Sequence, residues 1–184
     1  MSATLTTPDL PSYTPAPPTA AKLDYADLPI IDLSLSNTLE GRMQLSRQVH
    51  DAMRDQGFFY IINHGLDIIQ TNRAFDIADV VFSQLNDEEK QAYAGNIKAT
   101  GSYQGFKLRQ YWHIDGGVRD QIEHYNINRD VTKKPHPPAL HPFLPEIEAF
   151  TRHNHESVLH PILSREEHGY RTRTRGNPYP STRG

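Results

Sequence analysis

The sequence predicts an α+β fold with two or three long helices and a few short strands. Apolar residues recur at helical spacing over 38–56, 67–85 and 143–163. Between them stand β-favouring runs at 28–33 and 58–62. Both ends of the chain differ in composition from the middle, which places the structured part at 28–163.

Residues 1–27 hold Pro8, Pro11, Pro15, Pro17 and Pro18 among Ser, Thr and Ala, with no apolar period. Such a stretch buries too little surface to offset ordering entropy, so a disordered leader is expected. It lacks the basic start and apolar stretch of a secretory signal. Residues 28–33 open with Pro29, which is tolerated at sheet edges, and read as a short edge strand. A helix starts at Asn37 or Thr38 and reaches about Gln56, with Leu45, Val49, Ala52 and Met53 on one face and Gly57 as the stop. The unbroken run Phe58, Phe59, Tyr60, Ile61, Ile62 suits a strand covered on both faces. Asn63, His64 and Gly65 form the turn that ends it.

A second long helix is expected over 67–85, with Phe75, Ala78, Phe82 and Leu85 as its buried stripe. Asn86 with Glu89 three residues later has the pattern of a capping box for one short helix. Residues 95–117 are rich in glycine and aromatics without a clear period and read mostly as loop. Residues 122–127 suit a strand, and 133–138 a proline-rich connector. A last helix over 143–163 places Phe143, Ile147, Phe150 and Val158 on one face, with Pro161 expected to kink or end it. Residues 164–184 carry five arginines, three glycines and two prolines without one aliphatic side chain, the composition of a disordered tail.

The formal net charge of −3 and pI of about 6.3 argue against a general nucleic-acid partner. No cysteine is present, which excludes disulfides and thiol nucleophiles. No apolar run reaches bilayer length, so no membrane partner and a cytoplasmic location are expected. A mean hydropathy of −0.66 is low for a self-sufficient globule and suits a part that meets a partner surface.

Pro29-Ile30-Ile31-Asp32-Leu33, a helix, then Gly57-Phe58-Phe59-Tyr60-Ile61-Ile62-Asn63-His64-Gly65 closely resembles the N-terminal domain of isopenicillin-N-synthase-like dioxygenases. The likeness continues through an Asp-Glu-Glu-Lys helix, a Gly-Tyr loop over 101–106 and Glu123 in a strand, and covers 28–163. The resemblance implies a helical domain of a 2-oxoglutarate oxygenase, packed on a double-stranded β-helix. In the family that barrel carries a His-x-Asp and a distant His for iron(II), and an Arg-x-Ser element for 2-oxoglutarate. It further implies that a full-length relative oxidises a small organic molecule. Some members of the group dispense with 2-oxoglutarate, so that requirement stays open.

The chain departs from the family where the barrel should begin, and 164–184 looks like a frameshifted or mis-spliced end, or a gene-model artefact. A truncated, inactive chain with no tightly bound Fe(II) or 2-oxoglutarate is therefore the leading expectation. His113-Ile114-Asp115 is the one tempting metal triplet, with His168 downstream. Chance alone supplies about one such triplet in a chain of this composition. Only 69 residues follow Asp115, whereas eight strands with short connections need roughly 80. His155 and His160 are one residue too far apart for a metal-gripping helix pair, and with His153 they read as solvated. His64 reads as a structural hydrogen-bonder. No residue is expected to be catalytic or to ligate metal; Tyr103, Lys107 and Arg109 lie in the segment that could approach a substrate. Two other readings stand behind the first. One is a non-enzymatic interaction module that self-associates through exposed strand edges. The other is a free-standing metalloenzyme using His113, Asp115 and His168.

Overall fold

Strand β1 (Ile30–Asp32) lies parallel to β2 (Tyr60–Ile62), with Ile31 opposite Ile61, in the computed structural model, which describes residues 8–163. Parallel neighbours need a crossover, and helix α1 (Leu39–Asp55) supplies it. Thr38 caps α1, its hydroxyl accepting from the Gly41 amide at 3.0 Å. Gly41 is required there, because a Cβ would stand 1.9 Å from the Leu35 carbonyl oxygen. Ile31, Leu33 and Leu45 form one apolar cluster, joined by Val49, Phe59, Ile61 and, from far along the chain, Val158 and Ile162.

The expected double cover of the second strand is not found. Phe59 and Ile61 point into the cluster, whereas Phe58 is 72% and Tyr60 60% exposed. The sheet has two strands and one covered face, so alternate side chains of an all-apolar run must point to solvent.

Helix α2 (Ile68–Ser83) begins with a capping box between Asp67 and Gln70. Its buried residues are Ile77, Val80 and Val81, followed by Leu85. Phe75, Ala78 and Phe82 of the expected stripe are exposed, so the helix is turned by about 100° from the expected phase. The aliphatic side wins because it meets Leu140 and Phe143 in the second cluster, while Phe75 stacks on Tyr13 instead. Asn86 and Glu89 form the expected capping box of α3 (Asp87–Ala92).

A short helix, α4 (Ile97–Thr100), precedes β3 (Gly105–Lys107), which pairs antiparallel with β6 (His124–Asn126). Between them β4 (His113–Asp115) and β5 (Val118–Arg119) make a small hairpin. The stretch expected as loop is thus partly strand, stabilised by pairing that no local period announces. Phe106 is 2% exposed and joins Ile77, Val80, Val81, Leu85, Leu140 and Phe143 in the second cluster.

A 3-10 turn (Pro138–Phe143) leads into α5 (Leu144–His153), a π turn (Asn154–Leu159) and α6 (His160–Leu163). The single straight helix expected over 143–163 is therefore broken in phase. Pro161 lacks an N–H, and its ring crowds the carbonyl four residues earlier; widening the preceding turn relieves both defects. The phase shift lets Ile147 serve the second cluster and Val158 and Ile162 the first, and leaves Phe150 exposed.

The region expected as leader has no regular secondary structure over 8–29, yet its first described residues sit against α2. Tyr13 donates its backbone N–H to the Asp76 carboxylate at 2.7 Å, and Leu10 packs on the second cluster. The expected tail, 164–184, lies outside the described residues. The described residues form mixed helix and three two-stranded sheets, with no closed barrel. No helix among them is long and apolar enough to cross a membrane.

Two phenylalanines test this burial pattern. Phe106→Ala should cost about 3–5 kcal/mol in urea unfolding, whereas Phe58→Ala should stay within about 0.5 kcal/mol. Equal losses would mean that the outer face of β2 is covered.

Candidate functional site

Successive side chains of β3 leave on opposite faces. Phe106 enters the apolar cluster, so Lys107 must leave on the other side, where it is only 3% exposed. Its ammonium donates to the Asp120 carboxylate and to the Ile122 carbonyl, and lies 4.9 Å from the centre of the Trp112 ring. A buried charge needs this full set of partners. Asp120 binds the hairpin in turn. Its second carboxylate oxygen accepts from the Trp112 amide at 3.2 Å, and its backbone carbonyl accepts from the Gln110 amide at 2.7 Å. The Lys107 ammonium, helped by backbone N–H groups of 111–112, holds the Asp120 carboxyl below the usual carboxylate range against an opposing desolvation.

Of the three residues expected near a substrate, Tyr103 and Arg109 are exposed on this segment and Lys107 is committed to the hairpin. His113 and Asp115 sit in β4, exposed, with a register irregularity between them and the Gly116–Gly117 turn beyond. The Asp115 carboxylate accepts from the Gly116 amide at 2.7 Å. That bulge disrupts the i, i+2 geometry that lets a His-x-Asp pair share one ion, and His168 lies outside the described residues. Among the described residues no group of three or more His, Cys, Asp or Glu side chains could hold a metal ion. The donors among the described residues do not fit a ferrous centre.

Four other histidines make hydrogen bonds that hold the fold. The His64 Nδ1 accepts from the Leu66 amide at 3.3 Å, and its carbonyl accepts from His153 Nε2 at 2.7 Å. His153 is thus not simply solvated, as expected, but seals the turn after β2. Gly65, at φ 88°, leaves room for that ring, since a Cβ would lie 2.9 Å from His153 Cε1. His155 meets the Arg129 guanidinium. His136 is buried: its Nδ1 and the Tyr125 hydroxyl share a hydrogen bond of 2.7 Å, and its Nε2–H donates to the Val131 carbonyl at 2.8 Å. Burial pushes the Tyr125 phenol up to about 12, so it stays protonated.

Sequence reasoning missed three further contacts. Arg73 makes a two-pronged pair with Glu146, both bonds 2.9 Å, and also holds the Pro8 carbonyl. Lys90 pairs with Glu123 at 3.1 Å. Asp32 accepts from Asn63 Nδ2 at 2.7 Å and from the Ser34 amide at 2.9 Å, tying the end of β1 to the turn after β2. The Asn63 bond, then the Ser34 bonds, lower the Asp32 carboxyl. Only Asp32 and Asn63 carried a signal, as polar residues closing apolar runs.

Residues 28–145 match the family model described as non-haem dioxygenase in morphine synthesis N-terminal. The chain is similar to isopenicillin N synthase of Penicillium rubens, 29% identical over 119 residues, covering 64% of this chain and 34% of that protein. It is also similar to a 2-oxoglutarate-Fe(II) type oxidoreductase of Metarhizium rileyi, 28% identical over 123 residues, covering 66% of this chain and 30% of that protein. With gibberellin 20 oxidase 5 of Arabidopsis thaliana it shares 36% identity over 93 residues, 47% of this chain and 24% of the relative. The chain thus spans about a third or less of the length of these relatives. No solved structure matches.

Acid should test the hairpin clamp. A carboxyl with a lowered folded pKa contributes stability above its unfolded value, about 3.9, and loses that contribution as pH falls through the folded value. The melting midpoint should therefore drop steeply below about pH 4. Asp120→Asn should melt lower at neutral pH and show a shallower acid slope; an unchanged slope would contradict the assignment.

Proposed function

The chain belongs to the family of non-haem dioxygenase N-terminal domains, and on that premise we propose that residues 28–163 are the helical domain of an Fe(II)/2-oxoglutarate-type oxygenase that oxidises a small organic molecule. The observation that carries this reading is the unit built from β1, α1 and β2. Its inner face is filled, its outer face shows Phe58, Tyr60 and Ile62, and the motif ends in the Asn63–Asp32 lock. A sheet that is apolar on both sides and covered on one suits a domain that adds strands to a second body.

In this reading iron and 2-oxoglutarate belong to a catalytic barrel beyond the described residues. The chain contributes a wall of the substrate mouth, with Tyr103 and Arg109 as the side chains that meet substrate and Lys107 as the residue that positions their segment. Residues 28–163 supply no metal ligand themselves in this reading. Anaerobic titration of the purified chain with Fe(II), followed by calorimetry, should give no stoichiometric uptake, and His113→Ala should leave the trace unchanged. Tight one-to-one binding that is lost in His113→Ala would instead support the metalloenzyme built on His113, Asp115 and His168.

The exposed Phe58, Tyr60 and Ile30 also favour a second reading, an interaction module whose open strand edges recruit another chain. Sedimentation should then show concentration-dependent self-association of the chain, and the double variant Phe58→Ser, Tyr60→Ser should reduce it. A monomer at all concentrations removes this reading and leaves the first untouched.

A further inference from the structure

The turn of the small hairpin holds the one Asp-Gly pair in the sequence, Asp115-Gly116, and no Asn-Gly pair occurs. Gly116 and Gly117 take φ of 53° and 84°, the left-handed values that the central residues of a tight hairpin turn favour. The Asp115 side chain folds back on the next residue, its carboxylate accepting from the Gly116 amide at 2.7 Å. A carboxyl group and the nitrogen able to attack it are thus already in contact. Gly116 has no side chain to shield that nitrogen. Both turn glycines face open space, since a Cβ on either would meet nothing within 4 Å.

Contact alone does not select this site. The Asp9 carboxylate accepts from the Leu10 amide at 3.0 Å in the same way, but the Leu10 side chain crowds that nitrogen and packs on the second cluster. Asp32 and Asp130 turn instead to amides two residues on, the wrong nitrogen for a five-membered ring. Ring closure must also move the backbone of the attacked residue. Asp115 is the last paired residue of β4, opposite Val118, so only the closing pair of the hairpin has to open. Ile114 and Val118 are 69% and 62% exposed, so little apolar burial opposes that opening. The Lys107–Asp120 clamp stands at the other end of the hairpin and takes no part.

We propose that Asp115 is a site of spontaneous covalent modification, isomerising to isoaspartate through a succinimide closed by the Gly116 nitrogen. That nitrogen bonds to the Asp115 Cγ, the Cγ–OH bond of the protonated carboxyl breaks, and the hydroxyl leaves as water with the amide proton. Water then opens the ring. Attack at the Cγ carbonyl restores aspartate, whereas attack at the backbone carbonyl leaves the main chain running through Cβ and Cγ. The water lost is regained, no atom is oxidised or reduced, and water is the only co-reactant. The product carries one extra methylene in the backbone between 115 and 116, which loosens the pairing of Asp115 with Val118. The proposal goes beyond the oxygenase reading and does not rest on it.

The test holds the full chain at neutral pH and physiological temperature for several weeks, then digests it with trypsin. Cleavage after Arg109 and Arg119 gives the peptide 110–119, in which Asp115 is the single acidic residue. A second chromatographic form of equal mass should accumulate and accept a methyl group from protein isoaspartate methyltransferase. A form lighter by one water should precede it. Because only the closing hairpin pair must open, the folded chain should convert no more than about tenfold slower than a synthetic 110–119 peptide. Gly116→Ala should slow conversion by about tenfold or more, since its Cβ crowds the nitrogen. Asp115→Glu leaves both turn glycines in place and should abolish the second form, because its ring would need six members. The peptide that contains Asp9 should stay uniform. The absence of the second form from the parent chain would overturn the proposal. So would its persistence in Asp115→Glu, a folded chain slowed beyond that limit, or equal conversion at Asp9.

Discussion

Neighbouring side chains of a strand cannot share a face, and that constraint at β3 organises much of the molecule. Phe106 needs an apolar cluster on one side, and α2, Leu140 and Phe143 provide it. Lys107 then needs cover and counter-charge on the other side, and the hairpin from Gln110 to Ile122 folds back to provide both. The hairpin has little apolar cover of its own, since Ile114 and Val118 are exposed. Its attachment depends on one buried ammonium and one carboxylate. Removing either partner leaves the other buried and unpaired, which is why such a pair holds geometry more than it adds net stability.

The unit of β1, α1 and β2 obeys the same alternation with only one side satisfied. Ile31, Phe59 and Ile61 are covered by α1 and by the far end of the chain, while the opposite set faces outward. The long C-terminal helix makes this arrangement coherent. Its π turn lets one segment reach both clusters, and His153 locks it to the turn at His64. Membership in the dioxygenase N-terminal family agrees with a layer that is finished on one side and open on the other.

Local elements were legible where a local cause exists. Thr38, Asn86 and Gly57 punctuate helices through their own side chains or backbone freedom, and each stands where the sequence predicted a boundary. The strand motif at 57–65 was equally readable and carried the family. The buried side of α2 was not. Phe75 and Phe82 satisfy the helical period as well as Ile77 and Val81 do, and the choice between the two faces depends on what packs against them. The clamp at Lys107 was also hidden, because its partner Asp120 lies 13 residues away across a segment without periodicity.

The sequence alone determined the first two helices, the strands at 28–33 and 58–62, the caps at Thr38 and Asn86 and the family, since these rest on interactions within a few residues or on an unbroken motif. The tertiary structure alone decided which helix face is inside, which apolar strand residues stay wet, and which histidines are bound to carbonyls. It also showed that His113 and Asp115 ride on an exposed, bulged hairpin. Many of those outcomes depend on contacts between distant segments, such as Lys107 with Asp120 13 residues away and His153 with His64 89 residues away, where neither propensity nor spacing carries information.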